Sequence, residues 1–198
     1  MRNTRAESAM LSKAIEPIDL PNEAELLEVI STAEDASAVF LAAYHALDDT
    51  IGVLMQTIFY KDDYAVKFVV DPLLKNQGPL GDVMVRSKLL YGLGVINREI
   101  YEDVERFVTL KEWADTPQSS IYFTDPDVIE ELQKVHVVQS VMPIDYDQQA
   151  ANNLPEEMLT MFIERHNQKV QSSVVLAIAE LVRQLCHCDT SFLPSGAL

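Results

Sequence analysis

GPLGDVMVRSKLLYGLGVINREIYEDVERF, residues Gly78 to Phe107, reads as a helix, a glycine-marked turn and a second helix. Asp82 suits the N-cap of the first helix, because a short carboxylate can accept from the leading unpaired amides. Gly92 and Gly94 free the turn. Val85, Leu89, Leu93, Val95 and Ile100 offer an apolar seam between the two helices. The outline is that of a DNA-reading helix-turn-helix, whose second helix would lie in the major groove. The charge of that helix opposes the reading. Between Asn97 and Phe107 it carries Glu99, Glu102, Asp103 and Glu105 against Arg98 and Arg106, and phosphate contacts supply most of the affinity for DNA. A plain helical hairpin is expected.

The rest of the chain points the same way. With 198 residues, 48% of them hydrophobic, it can build one full-sized core. Six glycines and nine prolines are too few for the frequent turns of an all-β protein. The formal charge is −16. No basic residue falls between Lys13 and Lys61 or between Lys134 and Arg165. Such a field repels nucleic acid and attracts basic protein surfaces. The apolar run Ala36 to Leu47 is shorter than the roughly 20 residues that cross a bilayer, and the N-terminus shows no apolar block of signal length. The expectation is a soluble, cytoplasmic protein without a membrane role.

Helical periodicity and caps give the organisation. Pro21 suits the start of a helix through about Ile30, and Thr32 with Asp35 resembles a capping box for a long helix from about Ala33 to Phe59. That helix is apolar around much of its girth, which makes it the central buried element. Asp62 or Asp63 can cap a helix through Val70, although VKFVV also fits a strand, and Pro72 predicts a break. Helices follow from Asp82 to Leu93, from Asn97 to Trp113, from Pro126 to Val135 and from Pro155 to Cys186, with a polar loop over Val138 to Asn153. Met158, Phe162, Val170, Val174, Ile178, Leu181 and Leu185 form the apolar stripe of the last helix, which also suits a homodimer. The whole is an all-α, single-domain bundle of about seven helices with no β-sheet. A poorly anchored lead-in spans 1–20, the domain 21–190 and a tail 191–198.

Arg86 shares a helix face with Leu89, Leu90 and Leu93, and a partly buried guanidinium needs a carboxylate. Asp82 is four residues away, and Asp62, Asp63 or Asp71 can add a second partner. An ion-pair clamp is the expected role. Asp48 with Asp49 reads as a solvated face. Cys186 and Cys188 with His187 cannot close a tetrahedral metal site from one helix. GPLG lacks the lysine and hydroxyl residue of a phosphate loop. The four histidines are scattered and no serine or cysteine has a readable base partner, so no cofactor and no catalysis is expected.

The run FYKDDYAVKFVVDPLLKNQGPLGDVMVRSKLLYGLGVINREIYEDVERF, Phe59 to Phe107, closely resembles the mannitol operon repressor family, with weaker likeness near Ile121 and in the last helix. The resemblance implies an all-helical domain and a role in repressing mannitol uptake and breakdown genes. The family lacks an obvious DNA-binding motif, so the resemblance and the charge together point to repression through a protein. Another transcription factor or a phosphocarrier of the sugar phosphotransferase system would be that partner. Direct DNA binding through 82–107, or sensing of a sugar phosphate, are the alternatives. Lys61, Asp62, Asp63, Tyr64, Asp82, Arg86, Arg98 and Tyr101 are the polar residues of this family-like core and the candidate contacts.

Overall fold

The computed structural model describes residues 28–33, 35–59, 68, 70–75, 78–116 and 120–188. Its central helix, α1 (Ala36–Ile58), starts where Asp35 Oδ1 accepts from Ala38 N at 2.8 Å. Asp35 is therefore the cap itself, not the third residue of a capping box. Thr32 Oγ1 instead turns back to Glu28 O at 2.8 Å, closing the helical turn at 28–31. Val39, Phe40, Ala43, Ala46, Leu47, Ile51, Leu54 and Met55 are buried along α1. The helix is long and apolar enough by composition to span a membrane, but its apolar faces are answered by protein. Three helices pack on it: α3 (Val83–Gly92), α4 (Arg98–Ala114) and α8 (Glu156–Cys186). The central position expected for this helix is the one it holds.

Between α1 and α3 lies the short α2 (Asp71–Leu74). Pro72 does not break the chain as expected. Val70 already has helical torsions and Pro72 sits in the first turn of α2, where a missing amide costs nothing. Phe68 and Val70 are helical, which removes the strand reading of VKFVV for those two residues. The rest of the helix expected from Asp62 or Asp63 lies outside the described residues, as do the lead-in 1–20, most of the helix from Pro21, and the tail 191–198.

The hairpin of α3 and α4 has the expected caps. Asp82 Oδ1 accepts from Met84 N at 2.7 Å and Val85 N at 3.1 Å. Asn97 Oδ1 accepts from Ile100 N at 2.9 Å. Its apolar seam differs from the one expected. Val85, Leu89 and Leu93 are exposed, while Val83, Leu90, Val95, Ile96, Ile100, Val104, Phe107 and Leu110 are buried. The turn between the helices explains this phase. Gly94 N donates to Tyr91 O and Val95 N to Leu90 O, both at 2.9 Å, and Gly94 has φ +76°. This pair of bonds is a Schellman closure, and it folds Val95 down onto Leu90.

α5 (Pro126–Gln133) is the helix expected from Pro126, ending two residues short of Val135, while α6 (His136–Val141) and α7 (Gln148–Asn152) interrupt what was expected to be a loop over Val138 to Asn153. Two tertiary contacts that no local pattern shows make the difference. Asp103 in α4 caps α6, accepting from His136 N at 2.7 Å and Val137 N at 2.9 Å. Gln133 Nε2 in α5 donates to Ile144 O at 2.9 Å and holds the chain after α6. The last helix, α8, starts at Pro155 as expected, but its stripe is shorter. His166, Val170, Ser173, Val174, Ala177, Ile178, Leu181, Val182 and Leu185 are buried, whereas Met158 is exposed. At 3.6 residues per turn Met158 points about 120° away from Val170, so the two cannot share a narrow face. The described residues are all-α without a strand, around one continuous apolar cluster.

The turn makes a paired prediction. Gly94→Ala forces a side chain into the left-handed region and should cost about 1–2 kcal/mol. Gly92→Ala, in a helical turn with open space at its Cβ, should be neutral or stabilise by up to about 1 kcal/mol. Urea denaturation of both variants measures the difference.

Candidate functional site

The candidate residues fall into separate groups. Lys61, Asp62, Asp63 and Tyr64 lie outside the described residues. Asp82 and Arg86 stand at the start of α3, Arg98 and Tyr101 beyond its end. The ten residues of α3 put about 15 Å of helix between these groups.

Arg86 is the buried centre of the first group, only 5% exposed. The expected clamp exists, but its partner is Asp48 of α1, not Asp82. Arg86 Nη2 forms an ion pair with Asp48 Oδ1. Nη1 donates to Asp48 O at 3.3 Å, and Nη2 reaches Gly81 O at 3.5 Å. Asp82 is occupied by the amides it caps. Asp48, expected on a solvated face, is drawn inward on the same side as Tyr44 and Gly52. A Cβ on Gly52 would meet Arg86 Nη1 at 3.1 Å, so the glycine makes room for the guanidinium where another residue would crowd it. Arg86 Nε is buried with no partner among the described residues.

Around this pair the three helices form a polar seam. Lys111 of α4 lies 5.2 Å from the centroid of the Tyr44 ring and is held by Asp115 at 2.5 Å. Burial, and then the neighbouring Asp48 carboxylate, push the Tyr44 phenol above its ordinary value, with Lys111 opposing. Among the described residues of this seam, Arg86 and Lys111 each have a carboxylate partner, and the pairs position the helices.

The second group is a surface feature. Arg98 Nε pairs with Glu102 at 2.6 Å, a contact that raises the already high guanidinium value. Tyr101 stacks on Tyr91 at 5.3 Å between centroids and 16° between planes. Arg106 donates to the buried Glu131 at 3.0 Å. Both arginines of α4 that could have faced a DNA backbone are thus engaged by carboxylates.

Two further polar features escaped the sequence reading. Asp103, buried at 2% exposure, also takes a bond from His136 Nδ1 at 2.9 Å. An open cavity of about 470 Å³ is lined in part by Asp35, Ser37, Ser120, Asn167 and Gln171. Gln171 Nε2 caps the 28–31 turn through Ile30 O and Ser31 O, each at 3.1 Å. Asp35 already holds the first amides of α1 there, so the helix start is closed to an anion. Among the described residues no group of three or more histidines, cysteines or acids could hold a metal.

Against known proteins, the description of MtlR, the mannitol repressor, matches residues 22–186. The chain belongs to the mannitol repressor family. It is 36% identical over 163 residues to the mannitol operon repressor of Escherichia coli K12, covering 82% of each protein. A chain in the X-ray structure of the MtlR–HPr complex from Escherichia coli shares 36% identity and a TM-score of 0.71, over 82% of this chain and 97% of that one. A possible transcriptional regulator, YggD from Shigella flexneri, gives a TM-score of 0.68 at 21% identity, over 84% of this chain and 99% of that one, a likeness of fold alone. Fumarase E of Shigella flexneri is 29% identical over 100 residues, 48% of this chain and 59% of that protein. Within the mannitol repressor family, the long match places the Arg86 seam and the α3–α4 hairpin inside the shared domain.

The clamp is testable. Asp48→Asn keeps the shape but leaves a buried guanidinium without its counter-charge, and should cost about 2 kcal/mol. Arg86→Met removes the charge and its unmet donor together and should cost less than the asparagine variant. Guanidinium denaturation curves of the two variants rank them.

Proposed function

We propose that this chain is a non-enzymatic cytoplasmic repressor of the mannitol utilisation genes. It acts through a protein partner, the phosphocarrier HPr first among the choices, and does not itself read operator DNA. The observation that carries the reading is the shared fold and 36% identity with a chain seen in complex with HPr. The relative that matches over most of its length is a repressor by name, which favours regulation over catalysis.

The surface supports a protein over DNA. A reading helix needs a free cationic face. The inner face of α4 is committed to the core through Val104, Phe107 and Leu110, each 0% exposed. Its outer face carries Glu99 exposed, with Glu102 and Glu105 half-buried, and its arginines are paired. In this reading Arg86 holds the α1–α3 seam through Asp48 and Asp82 caps α3, while Arg98, paired with Glu102, and Tyr101, stacked on Tyr91, brace the α3–α4 turn.

Isothermal titration of the purified chain with HPr should show saturable binding that weakens as salt rises. The same protein should leave mannitol promoter DNA unshifted at low salt. A specific, salt-sensitive shift by the chain alone would overturn the partner reading in favour of direct repression. Thermal stabilisation by mannitol 1-phosphate in place of HPr binding would favour a sugar-phosphate sensor.

A further inference from the structure

The helix α8 has 31 residues, and none of the first ten, Glu156 to Arg165, is buried. Those ten include Met158, Leu159, Met161, Phe162 and Ile163. Leu159, Phe162 and Ile163 are half-covered on the side that continues the core stripe. Met158 and Met161 are 56% and 70% exposed on the other side. A free-standing helical half with two solvent-facing methionines leaves apolar surface in water that a soluble monomer does not need. Methionine is also the side chain best able to reshape itself against a partner.

The rim of this surface is mostly acidic, and Arg165, one turn on from Met161, is the one base among the ten residues. Five acids and no base occur between Lys134 and Arg165: Asp145, Asp147, Glu156, Glu157 and Glu164. The loop before α7 brings two of them close. Tyr146 packs its ring on Phe162 at 5.7 Å and on His166 at 4.5 Å, which sets its exposed neighbours Asp145 and Asp147 beside the free half of α8. The other exposed apolar ridge, Val85, Leu89 and Leu93 on α3, lies in a segment where eight bases balance eight acids from Lys61 to Lys111. Charge separates the two surfaces. A second copy of this chain meeting α8 would press acid against acid, whereas a basic partner would be drawn there.

We propose that the N-terminal half of α8, with Met158 and Met161 at its centre and Glu157, Glu164, Asp145 and Asp147 on its rim, is the docking surface for the protein partner. The partner's contact face is apolar at its middle and carries lysine or arginine around it. This rests on the reading that HPr binds the chain and adds where it binds. The sites are exposed, so substitutions there leave the fold intact, which circular dichroism and the melting point check.

Titration of HPr into the full chain and three double variants tests it. M158A/M161A should weaken binding about tenfold or more, as loss of a central apolar contact does. E157K/E164K should weaken it too and flatten its salt dependence. V85A/L89A should bind as the parent does. Parent-like affinity in both α8 variants, or a loss confined to V85A/L89A, would overturn the surface while leaving HPr as partner. A parent dimer in sedimentation that M158A/M161A turns into monomer would give the surface to a second copy instead. A parent chain that does not bind HPr removes the partner reading and this surface together.

Discussion

One requirement organises the bundle: α1 is apolar on several sides and has to be enclosed. Burial of such a helix is the main source of stabilisation in a domain this size, and no single neighbour can supply it. α3, α4 and α8 therefore converge on it, and the short helices α5 to α7 fill the space left between α4 and α8. Phe40 shows how closely this is done, meeting Phe123 edge to face at 5.8 Å although 82 positions in the chain lie between them. The buried hydroxyls of Thr50, Ser87 and Ser173 within this enclosure are each given a partner. Thr50 donates to Ala46 O at 2.7 Å and Ser173 to Met142 O at 2.7 Å, as buried hydroxyls require.

The enclosure also decides what the surface can do. With the buried apolar positions of α1 and α4 turned inward, the outer face of α4 is left to its carboxylates, and Arg86, Arg98, Arg106 and Arg183 are each paired with a carboxylate. Glu180 illustrates the pattern, since its bonds to Arg183 and then Gln184 pull its carboxyl down to about 2.

Much of this was legible in the chain because the signals were local. Asp82 and Asn97 precede apolar periodic runs and are caps, Pro155 precedes the last helix, and the density of alanine and β-branched residues in α1 marks a helix with only a narrow exposed stripe, His45, Asp49 and Gln56. The departures all involve contacts between distant positions. Asp48 looks like one of two surface acids until Arg86, 38 residues on, folds against it. A visible hint was Gly52, the one glycine of α1, four positions after an acid. Met158 joined the stripe of α8 only because steps of three and four were allowed to drift. Val85, Leu89 and Leu93 were assigned to the hairpin seam because periodicity gives a face but not which way it points, and the Schellman turn sets that direction.

The cap that Asp103 places on α6 carries a consequence for the order of assembly. α6 has six residues, far below the length at which a helix holds itself together in water, and its leading amides are met by a carboxylate 33 positions earlier in the chain. It has no independent existence before α4 is formed and docked. α6 is therefore a late element on the folding route, and a change at Asp103 would act on its rate of unfolding more than on the early collapse of α1 with α4.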